Sequence, residues 1–171
     1  MAYSYSGPLG LSVNGFAAFL SGAASYFIPV SVGGVVAEPF LISELSSSGK
    51  LIIFLETYGS FSLNIKQFQS LDENAQEALK VFIDEGLVEL SELGEEGTKL
   101  FEMLRYRLSD EEALSLAQAL DSNANMIFVE SEEAKATAVE LGIRPLSYED
   151  FLLDAFRRGL IKSEEILNIL H

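Results

Sequence analysis

Four consecutive apolar residues, Met126, Ile127, Phe128 and Val129, run straight into an acid, Glu130, then into Ser131 and an acid-opened helix, Glu132 to Leu141. An apolar run of this length between turn signals reads as a buried strand. The same order recurs. Ile143 to Leu146 precedes Ser147 and a helix whose Tyr148, Phe151, Leu152, Ala155 and Phe156 share one face. Leu87 to Leu90 precedes a helix from about Gly94 to Arg105. Short strands alternating with helices predict an α/β fold with a parallel sheet. Such sheets bind ligands at the carboxyl ends of their strands, so Glu130 is a candidate site residue.

The remaining elements fit a single domain over 1–171. Residues 2–6 read as a first strand before the Gly7–Pro8 turn. Phe16, Ala17, Phe19 and Leu20 suggest an apolar helix, and Tyr26 to Ile28 a short apolar run. Val32 to Leu45 reads as a helix interrupted at Pro39, followed by a loop from Ser46 to Gly49. Leu51 to Leu55 is continuously apolar, and Phe61, Leu63 and Ile65 alternate with polar residues around the turn chemistry of Thr57 to Ser60. Residues 50–68 are therefore expected to form a β-hairpin. Asp72 opens a helix closed near Gly86. Ser109 and Glu112 form a capping box at the start of another, and a last helix spans Glu164 to Leu170.

The chain has no cysteine, and its one histidine is His171. Disulfides, thiolate catalysis and most transition-metal sites are excluded. A metal here would be a hard cation on carboxylates and water. The 26 acids against 11 basic residues give a net charge of −15. That disfavours phosphate backbones, whose binding depends on Lys and Arg, so RNA is a disfavoured partner. Residues 1–37 carry no charge, and Glu38 is the first charged residue. Prolines, glycines and Asn14 break this stretch, so it predicts a buried or subunit-facing segment rather than a membrane span. With no basic leader region, the expected location is the cytoplasm.

Two acids stand out, Asp110 and Glu130. Asp110 shares its helix start with Glu111 and Glu112, where acids also serve the helix dipole. Glu130 precedes the Ser131 cap, and the same explanation applies there. Ser46 to Lys50 lacks the glycine and hydroxyl residue that a phosphate loop needs.

Leu108 to Ile161 resembles the PIN-domain superfamily, in its prokaryotic branch of uncharacterised nucleic-acid-binding proteins. The resemblance rests on Leu108-Ser109-Asp110-Glu111-Glu112-Ala113-Leu114-Ser115-Leu116-Ala117, on Met126 to Ser131, on Ala134 to Gly142, and on Phe156-Arg157-Arg158-Gly159-Leu160-Ile161. Tyr3-Ser4-Tyr5-Ser6-Gly7-Pro8-Leu9 is similar to the family's first strand, and Ile28-Pro29 with Val32 to the segment after its first helix. The resemblance implies a three-layer α/β sandwich with a central parallel sheet, here with the 50–68 hairpin inserted. It also implies a Mg²⁺ or Mn²⁺ site of three or four carboxylates that activates water to cleave RNA.

Carried over residue by residue, that site is damaged. Its first-strand Asp falls on Tyr5, flanked by Ser4 and Ser6. Its next acid falls in Gly33-Gly34-Val35, with Glu38 the nearest carboxylate. Asp110 and Glu130 are kept, and the neighbour of Glu130 is Ser131. The expectation is a non-catalytic, oligomeric binding or regulatory module with no firmly implied cofactor. The rival is a Mg²⁺- or Mn²⁺-dependent ribonuclease using Asp110, Glu130 and Glu38.

Overall fold

The computed structural model describes residues 34–170, with side chains as far as Asn168. The expected strand at 2–6, the apolar runs up to Ile28, and the site-rim residues Ser4, Tyr5 and Ser6 lie outside the described residues. The elements in order are β1 (Val35–Ala37), α1 (Pro39–Ser48), α2 (Leu51–Tyr58), β2 (Phe61–Asn64), α3 (Ile65–Ser70), α4 (Glu73–Asp84) and β3 (Val88–Ser91). They continue with α5 (Glu95–Leu104), α6 (Asp110–Asp121), β4 (Met126–Phe128), α7 (Glu132–Glu140), β5 (Arg144–Leu146), α8 (Tyr148–Arg157) and α9 (Ser163–Leu170).

The five strands form one sheet in the order β3-β2-β1-β4-β5, and every pairing is parallel. Parallel strands need crossovers, and helices supply them on both faces. The expected α/β sandwich with a central parallel sheet is therefore observed. The strands are three or four residues long and buried on alternate sides. Val35, Ala37, Phe61, Leu63, Val88 and Phe128 face one core with α1, α2, α4, α8 and α9. Val36, Ile127 and Val129 face the other with α5, α6 and α7. Phe54 of α2 centres the first core, its ring 5.0–5.5 Å from those of Tyr58, Phe61, Phe128 and Phe151.

Three expectations are corrected. Residues 50–68 are not a hairpin. Leu51–Tyr58 is helix α2, and Phe61–Asn64 is a strand running parallel to both its neighbours. The physical reason lies in which residues of the run are buried. Leu51, Phe54 and Leu55 are buried at helical spacing, whereas Ile52 is 60% exposed. A short apolar run cannot be assigned from its periodicity alone.

The described part of the expected 32–45 helix, residues 34–45, is not one helix broken at Pro39. Gly34, at φ 85°, leads into β1, and Pro39 then starts α1. Proline suits the first helical turn, where its missing N–H has no partner to lose. The expected loop from Ser46 to Gly49 is mostly the last turn of α1, closed by Gly49 at φ 71°.

Candidate carboxylate crevice

Strand order reverses between β1 and β4, since β2 and β3 lie on one side and β5 on the other. The crevice beyond the carboxyl ends of such a pair is where open α/β sheets bind ligands. Here the pair is in register, with Ala37 opposite Phe128. The next residue of β1 is Glu38, whose backbone N–H donates to the Phe128 carbonyl at 3.3 Å. Two residues beyond Phe128 stands Glu130. The topology thus delivers one acid from each central strand to one edge.

Glu38 is 7% exposed. Burial pushes its carboxyl up to about 7, and the charges of Glu112, Glu111 and Glu130 push the same way. The backbone N–H of Glu130 donates to it and opposes the rise. Glu38 therefore holds its proton well above the ordinary carboxylate range. Two of those three acids lie in the first turn of α6, opened by Ser109. The capping box is present: Ser109 Oγ accepts from the Glu112 N–H at 3.2 Å, and the Glu112 carboxylate accepts from the Ser109 N–H at 3.2 Å.

The other sequence candidates have partners of their own. The Asp110 carboxylate, 69% exposed, accepts from Arg105 Nε at 3.2 Å. Glu130 Oε2 accepts from the Tyr148 N–H at 2.9 Å, which ties the end of β4 to the start of α8. Ser131 caps α7 by accepting from the Ala134 N–H at 3.0 Å. Glu111, Glu112 and Glu130 are thus brought within electrostatic range of Glu38, while Asp110 turns to Arg105. Among the described residues, no group of three acids is close enough to hold a metal ion. Among the described residues, Glu38, Asp110 and Glu130 do not come together as the group of carboxylates that the implied Mg²⁺ or Mn²⁺ centre needs.

Sequence reasoning ranked Glu38 below Asp110 and Glu130. Its position was readable from Gly34-Val35-Val36-Ala37-Glu38-Pro39: a turn glycine, β-branched residues, an acid, then a proline at a helix start. It also missed Glu111 and Glu112 as neighbours of Glu38, because their effect depends on the path of α6 across the sheet. No protein-family model matches the chain, and no curated protein matches it either.

Proposed function

We propose that this is a PIN-like domain acting as a non-catalytic binding or regulatory module, with its working site in the crevice between the carboxyl ends of β1 and β4. One observation carries the reading. The crevice holds a buried acid, Glu38, while Glu130 and Asp110 are engaged by the Tyr148 N–H and by Arg105. Carboxylates occupied in this way serve the fold first. The net charge of −15 supports a ligand other than a phosphate backbone. Among the described strands, β1 leads an acid, Glu38, to the switch point beside β4. The uncharged 1–37 stretch supports self-association as part of this reading.

A specific observation favours a second reading, the metal-dependent ribonuclease. Three carboxylates act on Glu38, and a bound cation would relieve that repulsion. Calorimetry with Mn²⁺ and a ribonuclease assay separate the two. The binding-module reading expects no cleavage above background. Robust Mn²⁺-dependent cleavage that disappears in Glu38→Gln would overturn it in favour of the nuclease.

A further inference from the structure

A buried amide clasp joins the β2–α3 corner to α6. Asn64, at the carboxyl end of β2, donates from Nδ2 to Gln118 Oε1 at 2.9 Å. One turn on, Gln67 of α3 donates from Nε2 to the Glu111 carbonyl at 3.1 Å and to Ser115 Oγ at 3.0 Å. All four side chains are at most 2% exposed. The spacing repeats on both partners: Asn64 and Gln67 stand three apart, as do Ser115 and Gln118.

The clasp is poor value as a source of stability. Gln67 Oε1 is buried and meets no donor among the described residues, and a buried acceptor without a donor costs stability. An apolar side chain at 67 would avoid that cost. What an amide adds is direction, since buried polar pairs can specify register where apolar contacts tolerate sliding. Register matters here. A one-turn slip of α6 would move its acids by about 5.4 Å along the helix axis. The carbonyl gripped by Gln67 belongs to Glu111, one of the acids acting on Glu38.

We infer that Gln67 is a positioning residue of the crevice: through Glu111 and Ser115 it holds the first turn of α6 against the carboxyl end of β1. The inference rests on the reading of that crevice as the working site.

The test uses the labelled full chain in NMR at pH 9. In Gln67→Leu, the amide resonances of Glu111 and Glu112 and the side-chain carboxyl carbon of Glu38 should all move. Gln76→Leu is the control. Gln76 bonds three carbonyls of the α3–α4 turn, at Phe68, Gln69 and Leu71, so its loss disturbs the same corner without touching α6. There the Glu38 and α6 resonances should stay in place. Unmoved resonances in a folded Gln67→Leu protein, or equal movement in Gln76→Leu, would overturn the inference. If Gln67→Leu fails to fold, Ser115→Ala removes one of the two acceptors that Gln67 grips; smaller movements of the same resonances are expected, and none would overturn the inference. Nuclease and metal assays decide the reading of the site without bearing on these resonances, so the two can fail separately.

Discussion

The phenol of Tyr58 donates to the Asp154 carboxylate at 2.6 Å, joining α2 to α8 across 96 positions of sequence. The ring itself is part of the aromatic group around Phe54, 5.1 Å from Phe128. Burial, and then the bond to Asp154, raise the phenol well above its ordinary range, so it stays a donor at every working pH. Tyr58→Phe keeps the ring and removes the donor. It should cost about 1–2 kcal/mol, read from the urea midpoint at an unchanged slope. A loss below a few tenths would mean that water replaces the phenol without penalty.

Glu38 makes stability depend on pH in a direction unusual for an acid. Its folded carboxyl is held near 7, against an ordinary value of 4.5, so the native state binds its proton more tightly than the unfolded chain does. Stability therefore falls as pH rises through that interval. Above pH 7 the deficit is on the order of 3 kcal/mol. Glu38→Gln removes the charge and keeps an acceptor for the Glu130 N–H. The variant should be more stable than the parent at pH 8, by roughly 1–3 kcal/mol, and nearly equal to it at pH 4.5. Denaturant titrations at the two pH values check this, and an equal gap at both would contradict it.

Asp121, the last residue of α6, reaches the start of α5 and accepts from the Gly94 N–H at 2.5 Å. A β-carbon on Gly97 would lie within 3 Å of that carboxylate. Gly97→Ala should push that carboxylate off the Gly94 N–H and cost about 1 kcal/mol, despite alanine's better helix propensity. In an Asp121→Ala background the obstruction is gone, and the same substitution should stabilise by up to ~1 kcal/mol. Thermal melts of the four proteins in this cycle provide the check. The same sign in both backgrounds would reject the explanation.

Phe54 touches four aromatic rings and is fully buried. Phe54→Ala should cost about 3–5 kcal/mol, measured by chemical denaturation. A cost near 1 kcal/mol would mean that α2 collapses into the space.

What was legible in the sequence follows from how local its cause is. Asp72, Ser109, Ser131 and Ser147 each accept from the backbone N–H three residues ahead, so their helix starts could be read directly. The stretch from Leu51 to Tyr58 was misread because its burial is decided by rings from β2, β4 and α8, none of them local. The candidate site divides the same way. Glu130 was visible as an acid ending an apolar run. The importance of Glu38 depends on β1 lying beside β4, and on α6 bringing Glu111 and Glu112 toward it. Only the folded topology supplies those relationships.

The alternation of β1 has one more consequence. Val35 and Ala37 belong to one core, Val36 to the other, and Glu38 follows directly. Core and crevice are therefore spelled in a single reading frame three residues long. Deleting or inserting one residue in β1 would exchange which core each side chain enters and would also carry the acid away from Glu130. The packing of the two cores thus also sets where position 38 stands, whatever its side chain is used for.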